Sequence, residues 1–448
     1  MTNRSLALAA IASLVLPLVA ALASPTFSHP TVATAQTTGE PLAFVDPNDP
    51  GAAGNPATVY VVSPEVSTLV WKSTDGGGTW SAMAASLGGG GDSDIAIDAT
   101  GRVYVADLFG SGGITAGGIM PVSNSSTGAS SWASPAVAAA PGGSYDRPWI
   151  AAHDNGTVVV TGDAGGVLDV YRSTDYAHSF AKVGTIATDS TIQGPMHYGA
   201  DGTLWNIYHD GTNVRYAKSS DNGTTWTTGA IAPEISLALF PVLAVDADND
   251  AYAVWAAVTS AVPGGIPPLK TEIKFSRSID GGATWTTAST LSDPAKTVVF
   301  PWVVAGAKGK VDVSWAEARN DVLGDTASLG PDLGLPITHW DVRLAQSLNA
   351  NESVAAWDVV TAAPTFHTGS ICTSGLGCVG PQNLGVGNVP TPFDRRHLDF
   401  FGMAADGLGN AIVAYTQDRP FPGLLVGDLV LSWVDVKVAV QGGGPTIA

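Results

Sequence analysis

The chain has 448 residues, with 20 Lys and Arg against 39 Asp and Glu, a formal charge of −19 at pH 7. Charged residues make up only 13% and hydrophobic ones 45%, which excludes a disordered chain, and the excess of acid excludes the basic face that a nucleic-acid partner needs. Gly (53) and Pro (29) are abundant while the strong formers of exposed helix, Lys and Glu, are scarce, so an all-β, turn-rich globular protein remains.

The first 24 residues read MTNRSLALAAIASLVLPLVAALAS: Arg4, then an apolar run from Leu6 to Ala23, with small-x-small sites at Ala21-Leu22-Ala23 and Ala33-Thr34-Ala35. This is the layout of a secretory signal. An uncleaved anchor is the alternative, since the run lies at the lower edge of spanning length. Residues 1–35 are assigned to signal and processing, 36–440 to the folded domain and the Gly-rich residues 441–448 to a flexible tail. No later stretch is long and apolar enough to span a membrane as a helix, so the expected product is secreted or extracytoplasmic.

Beyond the leader, two hairpin patterns alternate. An apolar strand, a D-x-x-G-like turn and a second apolar strand recur at 41–63 (the loosest copy), 94–108, 149–163, 195–210, 241–257, 301–317 and 400–418. Between them lies a second turn, Ser-x-Asp-x-Gly-x-Thr-Trp. It is complete at Ser73, Asp75, Gly77 and Trp80, at Ser219, Asp221, Gly223 and Trp226, and at Ser278, Asp280, Gly282 and Trp285. A degenerate copy keeps Ser173 and Asp175 but ends in Phe180, and weaker echoes end at Trp132 and Trp357. The Asp carboxylate accepts backbone N–H bonds within such a turn, the Gly permits a positive φ, and the aromatic residue opens the return strand. These residues are therefore read as structural. Four strands in each of about seven units predict a single β-propeller, with six blades plus an irregular end as the alternative count.

The boxes resemble the Asp-box, or bacterial neuraminidase repeat, and the chain resembles the sialidase-like propeller superfamily over roughly residues 40 to 440. The resemblance implies that each box joins the third and fourth strands of a blade, on the face away from an active site. Function would then lie on the opposite face, where the longest loops, 257–272, 317–341 and 360–399, come from blades five to seven. Acids at the ends of the second strands, Asp107, Asp163, Asp210, Glu317 and Asp418, are expected around the mouth of the channel, either capping loops or binding a ligand. Arg396, Arg319 and Arg419 are expected beside them.

The family implies three arginines on a substrate carboxylate, a Tyr nucleophile activated by Glu, and an Asp acid/base. Arg147, Arg319 and Arg395 supply an arginine set, with Glu317 and Tyr415 as partners. The family's first-blade arginine has no counterpart, because no Arg lies between Arg4 and Arg102. The leading expectation is thus a non-catalytic glycan- or protein-binding module on the long-loop face. An exo-acting hydrolase of terminal acidic sugars is the alternative. A polysaccharide lyase using His197, Tyr198, His209 and Arg215 is a third reading.

Cys372 and Cys378, the only cysteines, are expected to form a local disulfide. The run Asp246 to Asp250 resembles the opening of a calcium loop but lacks the downstream Glu and is read as a turn. No cofactor and no metal are expected, since the only histidine noted near the cysteines is His367.

Overall fold

Short apolar runs punctuated by Asp and Gly turns fold as antiparallel hairpins, and the chain holds enough of them to close a ring. The computed structural model describes residues 23–36, 39–64, 68–83, 91–109, 119–127, 131–133, 136–139, 145–261, 269–319, 338–369, 371, 373, 397–419 and 434–448. Seven antiparallel sheets form a seven-bladed propeller, which excludes the six-blade count. The first blade contains Leu42–Val45, Val59–Ser63, Leu69–Ser73 and Ser81–Ala82, from the axis outward. Second strands such as Val59–Ser63 are buried along their whole length, because blades pack against both of their faces. Among the described residues no helix is long and apolar enough to cross a membrane.

All three full boxes and the degenerate one join the third and fourth strands of their blades. In each, the Ser Oγ donates to the Asp carboxylate at 2.7 Å. The same oxygen accepts the N–H four residues on at 2.8–2.9 Å. The Asp in turn accepts the N–H four residues after it, at 2.8–2.9 Å. Gly77, Gly223 and Gly282 adopt φ near 90°, and Ala177 holds the same left-handed region at 60° in the degenerate copy. A basic residue stands directly before each box Ser. Arg172 donates to Asp221 O (2.9 Å) and Lys218 to Gly281 O (2.5 Å), each tying its blade to the box of the next.

The first-hairpin turns lie at the same end and also link blades. Asp246 Oδ1 accepts N–H groups of Asp248 (2.9 Å) and Asp250 (3.0 Å), while Oδ2 accepts Tyr252 OH (2.8 Å) and Gly309 N from the next blade (2.8 Å). Asp98 repeats the pattern with Tyr104 and Gly156. The calcium-like run is therefore a turn whose Asp is a bridge between blades.

Both ends of the chain pack into the ring. Residues assigned to processing pair as strands Thr26–Ser28 and Thr31–Gln36 on the outside of Val434–Gly443, so the N-terminus supplies the fourth strand of blade seven and closes the ring. The C-terminal residues are not a loose tail. The last strand runs to Gly443, and Ile447 is fully buried between the first-hairpin turns of blades six and seven, donating to Gly409 O (3.0 Å) and accepting from Ala307 N (2.7 Å). Residues 1–22, Cys372, Cys378, Arg395, Arg396 and most of the three long loops lie outside the described residues. The strands also reach further into those loops than expected, to Ala261, Ala318 and Thr368.

Candidate functional site

The second-strand ends do fall at one end of the propeller, opposite the boxes, but the acids there do not form a common ring. Asp163 accepts Gly166 N (2.7 Å), and burial raises its pKa. Asp210 accepts N–H groups of Thr212 (2.9 Å) and Asn213 (2.7 Å) and pairs with Arg215 (3.3 Å); these bonds overcome a burial penalty and hold it at about 2. Glu317 accepts Trp315 Nε1 (3.3 Å) and faces Arg343 at 3.6 Å, with burial pushing its pKa up. Asp107 is fully buried, and desolvation raises it to about 7. Asp418 is engaged with two histidines.

The arginine set of a sialidase clamp is not assembled among the described residues. Arg147 enters the first strand of blade three in the left-handed region, φ 57°, and turns its guanidinium inward. It meets Glu40 (3.3 Å), Asp92 (3.1 Å) and Asp399, each from the segment leading into another blade's first strand. Phe240 lies beneath it, 4.4 Å from the guanidinium carbon to the ring centroid. Trp149, Phe240, Trp302 and Phe400 meet across the axis with centroids 5.6–6.4 Å apart. This ionic and aromatic plug closes the axial channel. Below it a cavity of about 290 Å³ is lined by first strands, with Asp94 and His197 among the lining residues.

Arg319 lies at the rim, donating to Asp341 (Nε, 3.1 Å) and to Thr365 Oγ1 (2.8 Å). Arg419 approaches Asp435 at 3.8 Å. Tyr415 is buried beside Phe401, and desolvation raises its pKa, the reverse of an activated nucleophile. Glu317 takes Trp315 and Arg343 as partners instead of Tyr415.

The lyase set is also dispersed. His197 pairs with Trp205 at the start of the second strand of blade four, whereas His209 ends that strand, held by Thr191 Oγ1 (2.8 Å) and Glu234 O (3.0 Å). Burial lowers His197 to about 4, so its ring is neutral. Arg215 donates to Tyr208 OH at 3.1 Å.

One convergence was not anticipated. His367 is the penultimate residue of the outer strand of blade six, His397 lies in the turn into blade seven, and Asp418 ends the second strand of blade seven. His367 Nδ1 is 3.0 and 3.1 Å from the Asp418 oxygens, and His397 Nε2 is 3.5 Å from Oδ1. Thr416 Oγ1 meets His397 Nδ1 at 2.7 Å, and Thr368 N donates to Asp418 at 3.1 Å. The sequence reading found no metal-ligand cluster because 30 residues separate the histidines and another 21 precede the aspartate; only the packing of blade six on blade seven joins them.

No protein-family model matches the chain, and no relative is found among curated proteins. Solved structures do match it. An ulvan lyase of polysaccharide lyase family PL25 aligns with a TM-score of 0.52 at 14% identity, over 93% of this chain and 96% of that one. A protein of unknown function from Dyadobacter fermentans DSM 18053 aligns with a TM-score of 0.47 at 15% identity, over 78% and 94%. A Hadza microbial sialidase, Hz136, gives 0.39 at 15% identity, over 63% of each chain. At these identities the likeness concerns the fold alone.

Proposed function

We propose that this propeller is a secreted, non-catalytic module that binds an extracellular glycan on the face carrying the second-strand ends of blades five to seven. The observation that carries the reading is the network around Arg147. The arginine that would lead a carboxylate clamp is enclosed by Glu40, Asp92 and Asp399 above an aromatic plug, so an anionic sugar approaching it meets carboxylates first. Tyr415 and Glu317 are likewise committed to other neighbours. Arg319 remains about half exposed at 48%, and Arg419 is similarly exposed at 43%, so both offer donors to a sugar at the rim.

The test is a glycan array probed with the full chain, alongside fluorogenic sialosides and other acidic glycosides as substrates. The expected result is glycan binding without turnover, weakened at least about tenfold in an Arg319→Ala/Arg419→Ala double variant by loss of charge-assisted hydrogen bonds. Hydrolysis of any acidic glycoside, or capture of a protein ligand with no glycan binding, overturns the reading.

A further inference from the structure

We propose that His367, His397 and Asp418 form a binding site for a divalent transition-metal ion of the zinc type, at the junction of blades six and seven. The inference rests on side-chain geometry and is independent of the glycan reading.

The donor atoms come from three segments and lie within 4.8 Å of one another. Ligand bonds of about 2.0–2.2 Å to zinc place neighbouring donors about 3.0–3.5 Å apart in tetrahedral or octahedral geometry. Both histidines already stand at that spacing from one oxygen of the carboxylate, Oδ1 of Asp418, at 3.1 and 3.5 Å. Two imidazoles and one carboxylate select a transition metal over calcium or magnesium, which prefer all-oxygen sites.

The surroundings hold the donors in place. Both histidines are buried, and Phe366 and Phe401 pack edge-on against the His397 ring at 5.1 and 5.9 Å between centroids. Thr416 engages Nδ1 of His397, which directs Nε2 toward Asp418; such an outer partner fixes the tautomer and orientation of a metal-bound imidazole. A simple His–Asp ion pair needs one histidine. Here a second buried ring stands 4.5 Å from the first, centroid to centroid, facing the same carboxylate. Asp418 keeps 21% exposure, so the site opens toward the rim, where water or a ligand atom can complete the coordination.

Chelator-treated full-length protein is titrated with ZnCl2 by calorimetry, with bound metal counted by mass spectrometry after dialysis. CoCl2 serves as a spectroscopic probe of coordination. One equivalent of zinc is expected, with a rise in melting temperature. His397→Gln and Asp418→Asn should each lower affinity more than about 100-fold, and Thr416→Val, which removes only the outer hydrogen bond, about 10- to 100-fold. The half-buried His153→Gln, remote from the site in blade three, serves as the control and should bind as the unmodified chain does. Circular dichroism establishes that each variant is folded before it is scored. Absence of saturable zinc binding by the folded unmodified chain, or equal affinity in folded Thr416→Val and Asp418→Asn, overturns the proposal.

Discussion

Arg147 is held in an ionic network that joins four blades at the axis. Its guanidinium is largely buried and shared by three acids, and burial pushes the pKa of Asp92 well up. Removing one partner from a buried ionic group costs about 3–5 kcal/mol, because the remaining charges stay desolvated. Arg147→Met should therefore lower unfolding free energy by about that much at neutral pH. The loss should shrink as the acids protonate at low pH. Urea denaturation at both pH values checks this; an unchanged midpoint at neutral pH would show that the network is not structural.

At the scale of elements, the strand that closes the ring comes from the opposite end of the chain. Phe27 stands opposite Gln441 and Thr31 opposite Lys437. Val32 packs in the cluster that holds Val436 and Val438. A chain beginning at Gly39 leaves Val434–Gly443 as an uncovered edge, a template for aggregation. Such a truncation should melt at lower temperature and scatter light on heating, whereas a chain beginning at Ser24 should behave as the longer form does. Equal melting of the two would refute the closure role.

For the whole molecule, acids of two kinds pull stability in opposite directions with pH. Asp175, Asp221 and Asp280 are held at about 2, chiefly by bonds from Ser179, Thr225 and Thr284. Their contribution is present above the unfolded value of about 3.9 and is lost as pH falls toward 2. Asp94, Asp107 and Asp312 are raised to about 7 by burial, so the folded chain holds protons that the unfolded chain has released. The stabilising contribution of these three acids therefore declines as pH rises from about 4 to 7 and outweighs the opposite contribution of the single neutral His197. Asp107→Asn should flatten that decline in denaturation series. A steady gain in stability from pH 4 to 7 would contradict the buried-acid reading.

The seven hairpins and the position of every box were legible in the sequence because each is a local event: a short apolar run that ends in an Asp and Gly turn, and a turn closed by side chains within eight residues. Lys72, Arg172, Lys218 and Arg277 each stand directly before a box Ser, a local signal in the sequence for the bridges that Arg172 and Lys218 make to the next blade. What tertiary structure alone decided lies where blades meet. Arg147 and Asp399 are 252 positions apart, and the strands that complete blade seven begin at opposite ends of the chain. His367, His397 and Asp418 belong to two blades. Such contacts leave no periodic trace, because ring closure brings them together after each blade has satisfied its own backbone. The sequence by itself determined the repeating blade; the packing of one blade on the next determined which charged and metal-ligating groups share a site.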